Sequence, residues 1–213
     1  GLWLHVDACV GGILSPFVRE CGYEVPPFDF SIPGVTSISA DLHKSGFAAK
    51  PASTVSFRTR ALREFARYTF DDWPSGVYSS LTFTGTRPGG AIAASWAAMN
   101  FLGQEGYREI AAASMRAKQK TIDGLTAIEG VKVHGEPPVY AFSWAAAGVD
   151  MSAVAAAMNK RGFMCGQTTS PAGIHFMATP VHEAAADEYA AAAAESIAEA
   201  RTGGAQGKAA AYN

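Results

Sequence analysis

A short alternating run, GVTSISAD at residues 34–41, puts Val35, Ser37 and Ser39 on one side and Thr36, Ile38 and Ala40 on the other. A period of two reads as a strand. The run ends in a polar cluster of Asp41, His43 and Lys44, and Lys50 comes six residues after Lys44. A second β-rich run, LWLHV, ends in the same manner at Asp7, ahead of the glycine pair Gly11-Gly12. Strands that end in charge, in a chain that also carries long helical stretches, point to an open α/β sheet. In such sheets ligands sit beyond the carboxyl ends of the strands. If these two strands are neighbours, an acid and a lysine face one crevice.

The rest of the chain supports a two-part organisation. STVSFR (53–58) reads as a third strand, and TRALREFARY as a helix with Leu62, Phe65 and Ala66 on one face. The Pro/Gly-rich DDWPSGVYSSLTFTGTRPGG reads as a long loop, a type often tied to function. From Ala91 to about Ile128 the pattern is helical, broken near Gly103–Gly106. Beyond it, VKVHG, VYAFSW, FMCGQT and GIHFMAT read as strands. Asp150 caps a helix that stops at Gly162, and a last helix opens with Thr179 as N-cap and Pro180 at its first position. Residues 1–105 are therefore expected to form one part and 106–213 a compact α/β unit, with a frayed tail from about 203.

Composition removes several classes of function. A net charge of −2 gives no electrostatic case for nucleic acid or an anionic membrane surface. Three cysteines, Cys9, Cys21 and Cys165, without a CxxC pair argue against a disulfide framework and suit a reducing compartment. The longest charge-free apolar stretch, AIAASWAAMNFLG, is too short to span a bilayer. No signal peptide is visible. The chain opens directly in an apolar strand-like run, which reads as a fragment whose N-terminal portion is absent. The expected location is cytoplasmic, or the cytosolic face of a membrane if an anchor lies upstream.

An acid and a lysine at adjacent strand ends match what pyridoxal phosphate requires: a lysine for a Schiff base and a carboxylate opposite the pyridinium nitrogen. The carboxylate keeps that nitrogen protonated by charge attraction. The lysine attacks as a neutral amine, so a desolvated pocket near cationic groups, which lowers its pKa, is expected around Lys44. Other candidates are weaker. His5 and Asp7 share a strand face but lack a third metal ligand, and no metal is expected. His134, His175 and His182 read as structural or surface groups, and Arg87 either binds phosphate or braces its glycine-rich loop.

HVDACVGG followed by SISADLHKSGF resembles the pyridoxal-phosphate-dependent group II decarboxylase superfamily, and within it the sphingosine-1-phosphate lyases. PPFDFSIPGVTSISADLHKSGFAAK, DWPSGVYSSLTFTGTRPGGAIAASWAAMNFLGQEGY and KRGF carry the likeness in order and spacing. It is dense from Trp3 to about Tyr107 and looser through GIHFMATPVH. The resemblance implies a fold type I, aspartate-aminotransferase-like architecture: the end of the large cofactor domain plus a small C-terminal α/β domain. It implies that Lys44 forms the Schiff base, Asp7 pairs with the ring nitrogen, Cys9 lies against the ring face and His43 contacts the cofactor phosphate. Thr86 would reach the cofactor phosphate of a neighbouring subunit, making the site a homodimer property, and Lys50 would contact a substrate phosphate. A lysine is a suitable point-charge partner for a phosphate monoester.

The implied reaction is Cα–Cβ cleavage of a phosphorylated long-chain amino alcohol to a long-chain aldehyde and ethanolamine phosphate. The alternatives are an amino-acid decarboxylase of the same superfamily, and an inactive fragment that needs a separate N-terminal half. One residue departs from the family pattern: Ser45 stands where a tyrosine usually follows the lysine. That removes an aromatic ring beside the site.

Overall fold

The computed structural model describes residues 1–203, so the frayed tail expected from about residue 203 lies almost wholly outside the described residues. The chain divides into two compact units, one of Gly1–Glu20 with Glu24–Tyr107, the other of Cys21–Tyr23 with the chain from Arg108 onward.

In the first unit, β1 (His5–Asp7), β2 (Ser37–Ala40) and β3 (Thr54–Phe57) form one sheet in that order. β1 and β2 are parallel, with His5 opposite Ser37 and Asp7 opposite Ser39; β3 pairs antiparallel to β2. The register aligns the carboxyl ends of β1 and β2, so the two polar strand ends are adjacent. Helix α1 (Ser15–Glu20) follows the glycine pair, which no periodicity had indicated. A Cβ at Gly12 would lie 2.7 Å from the Ala8 carbonyl oxygen and 2.8 Å from Ala40 Cβ, so only glycine lets the chain pass this close.

Two expectations for this unit are corrected. Helix α2 spans only Arg60–Glu64, capped by Thr59, and buries no residue. Phe65 is 81% exposed and meets only the edge of the Trp3 ring, at 6.4 Å among the described ring contacts, so the supposed apolar face is not packed into a core. The long loop contains a hairpin, β4 (Tyr68–Phe70) paired with β5 (Tyr78–Ser80), with Trp73 stacked on Tyr78 at 6.3 Å. Its aromatic and hydroxyl residues outweigh Pro74 and Gly76 of the connection, which fall in the turn.

α3 (Gly89–Thr126) is two helices meeting at Gly103, whose φ of 58° and ψ of −172° are open to glycine alone. In the second unit, the antiparallel sheet runs β6 (Val131–Val133), β7 (Ala141–Ala146), β9 (Ala172–Met177), β8 (Gly166–Thr169). α4 (Met151–Lys160) packs on β8, β9 and α5 (His182–Arg201). The core holds Trp144, Tyr140, Leu125, Val154, Met158, Ile174 and Ile197, all nearly or fully buried. Trp144 Nε1 donates to the Tyr189 hydroxyl at 3.1 Å, so a buried polar group is satisfied inside an apolar cluster.

Asp150 caps α4 by accepting from Ser152 N at 2.9 Å, and Gly162 follows its end with φ of 90°. α5 begins later than the Thr179-Pro180 pair implied. His182 Nδ1 accepts from Thr179 N at 2.9 Å across the turn that precedes the helix. Val181 is the N-cap and makes no side-chain cap bond.

Candidate active site

Seven side chains of the first unit, those of Asp7, Cys9, Ser39, Asp41, His43, Lys44 and Ser53, converge where β1 and β2 end. Asp7 Oδ1 accepts from Cys9 N at 3.1 Å and from Ser39 Oγ at 3.1 Å. These bonds, the backbone one first, hold its carboxyl below the usual carboxylate value, with a smaller contribution from the Lys44 charge. Asp7 is therefore ionised at neutral pH. Cys9 links the acid to the lysine: its N–H bonds Asp7, and its Sγ accepts from Lys44 Nζ at 3.0 Å. The backbone N–H of Asp41 donates to the Cys9 carbonyl at 3.1 Å, stitching the two strand ends together.

Lys44 Nζ also lies 2.9 Å from Asp41 Oδ2. The hydrogen bond to Asp41 and that to Cys9 raise the lysine well above its ordinary value, outweighing its burial. This reverses the expected cationic surroundings: a carboxylate and a thiol face the amine and favour the ammonium. For Asp41, burial acts to raise the carboxyl, but the bonds from Lys44 and Ser53 and the Lys44 charge together hold it below its usual value. Asp41 is 8% exposed, and its Oδ1 accepts from the Ser53 hydroxyl.

His43 is held by backbone. Its Nδ1 lies 2.6 Å from the Ala52 carbonyl and 3.2 Å from the Ala52 N–H, so the tautomer decides which of the two it bonds. Its Nε2 lies 3.7 Å from Asp41 Oδ2. His5 bonds Ser37 through Nδ1 at 2.7 Å and Ser39 through Nε2 at 3.2 Å, which occupies both ring nitrogens. Ser45 is buried, and the Tyr107 hydroxyl donates to the neighbouring Gly46 carbonyl at 2.8 Å.

The structure does not join Lys50 or Thr86 to this cluster. Both are exposed and form no hydrogen bond or ion pair among the described residues. Thr86 sits on the loop between β5 and α3, which Arg87 braces through Thr84 Oγ1 at 2.6 Å. Asp41 is the residue that sequence reasoning quoted without assigning a role. Its i,i+3 spacing to Lys44 across a tight turn was the available signal, since Lys44 N bonds the Asp41 carbonyl at 3.3 Å.

An ionised carboxylate and a primary amine bridged by one small residue fit pyridoxal phosphate, which needs both groups and has a flat ring to seat between them. An α/β chain with this arrangement at adjacent parallel strand ends defines a fold type I pyridoxal-phosphate enzyme. Similarity to known proteins agrees. Residues 1–143 match the pyridoxal-dependent decarboxylase conserved domain. The chain is 38% identical over 189 residues to the sphingosine-1-phosphate lyase of Arabidopsis thaliana, covering 89% of this chain and 35% of that one. It is 41% identical over 137 residues to a probable L-aspartate decarboxylase of Thermococcus gammatolerans, covering 64% of this chain and 36% of that one. A solved sphingosine-1-phosphate lyase from Burkholderia pseudomallei K96243 superposes with a TM-score of 0.86 at 36% identity, over 94% of this chain and 46% of that one. The chain belongs to the pyridoxal-dependent decarboxylase family, whose cofactor is pyridoxal phosphate. It spans about a third of the length of the curated relatives it matches.

Proposed function

We propose that the protein carrying this chain is a carbon–carbon lyase that cleaves a phosphorylated sphingoid base into a long-chain aldehyde and ethanolamine phosphate. One observation carries this over the decarboxylase reading. The likeness to the lyases runs through both units, whereas the likeness to the aspartate decarboxylase covers a smaller part of the chain.

Pyridoxal phosphate, when bound, supplies the electron sink for a carbanion at the substrate's Cα. Lys44 would anchor it covalently. Asp7, kept ionised by Cys9 and Ser39, would stand opposite the ring nitrogen and hold a proton there. Cys9, with its thiol already beside Lys44, would lie against the ring face. His43, fixed by Ala52, would turn Nε2 to the cofactor phosphate. Lys50, exposed and free of an ion pair among the described residues, would meet the substrate phosphate.

A homodimer would complete the site, with Thr86 reaching the partner's cofactor. Ile92, Trp96 and Met99 lie on one face of α3 at helical spacing, and they and Phe83 are 44–108% exposed. They line an open groove of about 830 Å³ together with Leu81 and Val55. An apolar surface of this kind marks an interaction face, and a second copy is the occupant favoured here. The three cysteines are unpaired, in keeping with a cytoplasmic location or the cytosolic face of a membrane. Among the described residues no helix is long and apolar enough to cross a membrane, so any membrane attachment would use other segments.

The deciding assay supplies the full-length protein with a phosphorylated sphingoid base and, separately, with acidic and aromatic amino acids. Aldehyde release from the first is the expected outcome. Carbon dioxide release without aldehyde would assign the decarboxylase reading instead.

A further inference from the structure

The Asp41–Lys44 contact has no part in the function proposed above. Asp41 is fixed from three segments. The Ser53 hydroxyl binds its Oδ1, the Cys9 carbonyl takes its main-chain N–H at 3.1 Å, and His43 Nε2 stands 3.7 Å from its Oδ2. A carboxylate anchored in this way keeps its place whatever the lysine does. Lys44, on a flexible four-carbon stem and 32% exposed in its side chain, is the movable partner.

We propose that Asp41 is a positioning residue that receives the Lys44 amine whenever that amine has no covalent partner, and holds it as an ammonium ready to return a proton to the substrate carbon. The inference rests on the reading of Lys44 as the cofactor lysine, and it serves the lyase and the decarboxylase alternatives alike. In either, breaking the bond leaves an electron pair on the substrate's Cα. That pair takes a proton from Lys44 Nζ, and the lysine is left as the neutral amine it must be for its next attack. The charged and titratable groups facing Nζ are Asp41 at 2.9 Å, the Cys9 thiol at 3.0 Å, His43 behind Asp41, and Asp7, whose charge reaches Lys44 across Cys9. Of these, Asp41 is the buried carboxylate in direct contact. It also sets an order of events: when the substrate's ammonium nitrogen replaces Lys44, the protons it gives up leave Lys44 as an ammonium, which falls into the ion pair with Asp41 and does not compete at once with substrate.

The test reads Lys44 directly. The full-length protein, freed of pyridoxal phosphate, is treated with acetic anhydride across a pH series, and acetylation of Lys44 and Lys50 is followed by mass spectrometry. Only the neutral amine reacts. Asp41→Asn is expected to raise Lys44 labelling near neutral pH by about tenfold or more, the change that one pKa step represents, with Lys50 labelling unchanged as the internal reference. Equal Lys44 profiles in parent and variant overturn the proposal. Cys9→Ala leaves the carboxylate in place and is expected to move Lys44 far less; a shift as large as that of Asp41→Asn gives the role to the thiol and also overturns it. Should Asp41→Asn fail to fold, Ser53→Ala loosens the carboxylate without removing it. A smaller rise in the same direction then supports the proposal, and none overturns it. In the holoenzyme, the alkaline limb of kcat should move to lower pH in Asp41→Asn while KM holds; an unmoved limb removes proton return from the role of Asp41. The labelling arm needs no turnover, so failure of the lyase reading would leave its result standing.

Discussion

Lys44 is surrounded by groups that keep it charged, and this governs what single substitutions should do. Lys44→Ala is expected to abolish the visible absorption band that the full-length protein gains with pyridoxal phosphate; a band that persists would place the cofactor on another amine. Lys50→Ala is expected to raise KM for a phosphorylated substrate about tenfold to a hundredfold, as loss of a charge-assisted bond of about 1.5–3 kcal/mol would, with kcat little changed. An unaltered KM would remove Lys50 from the substrate site. The Asp41–Lys44 pair also shapes stability against pH. The folded carboxyl lies below its usual 3.8, so its contribution is present above that value and lost as pH falls through the folded value. The folded lysine lies above its usual 10.5, so its contribution is present below that value and lost as pH rises through the folded one. Melting of Asp41→Asn across acidic pH should therefore lie nearer the parent at the acid extreme than at neutrality; a constant gap would argue that burial geometry, not charge, is what the substitution disturbs. Asp7 and Lys44 stood out in the sequence because each follows a strand-like run, β-former-rich LWLHV for Asp7 and alternating TSIS for Lys44. The role of Asp41 was not legible there, because it depends on a turn that folds it back on Lys44 and on Ser53 arriving from another strand.

At the scale of elements, local chemistry was read correctly where one residue dictates it. Asp150 and Gly162 bracket α4, and Asp150→Ala should cost about 1 kcal/mol of stability, the usual loss of a cap, measurable by denaturant unfolding. The break near Gly103 was also visible, since glycine in a helical run marks a place the helix stops obeying its period. A Cβ there would meet nothing within 4 Å, so the cost of Gly103→Ala is conformational alone, about 1–3 kcal/mol. A neutral result would mean that the two helices straighten into one. Where the sequence misled, neighbours decided. α2 had the spacing of an amphipathic helix, yet it buries no residue, and Phe65 meets only the edge of Trp3 among the described aromatic contacts. The β4–β5 hairpin was masked by Pro74 and Gly76, which belong to its connection and not its strands. The start of α5 moved to His182 because Thr179–Val181 close as a turn, in which His182 N bonds the Thr179 carbonyl at 3.0 Å.

At the scale of the whole molecule, the two units differ in their surfaces. Among the described residues the second leaves Met164 and Val181 strongly exposed, at 96% and 74%; the first leaves Leu2, Phe65, Val77, Phe83, Ile92, Trp96 and Phe101 61–108% exposed. That asymmetry follows if the first unit is made to be covered by further protein. If the proposed homodimer forms through this face, replacing Ile92 and Trp96 with lysine in the full-length protein should shift its mass in solution from dimer to monomer by light scattering; a dimer that survives both changes would move the interface to another face. The division of the chain between Tyr107 and Arg108 falls inside the α3 run, a few residues past its break at Gly103. That Cys21–Tyr23 join the second unit could not be anticipated, because three residues make that link and carry no periodicity.

Cys9 Sγ and Lys44 Nζ stand 3.0 Å apart, and this proximity gives the protein a built-in optical handle. ortho-Phthalaldehyde condenses with one amine and one thiol to a fluorescent isoindole, losing two waters, when the two lie within bonding reach of a single benzene ring. The cofactor-free protein should light up at this pair and darken as pyridoxal phosphate takes the amine. Site occupancy could then be followed in a cuvette, without substrate.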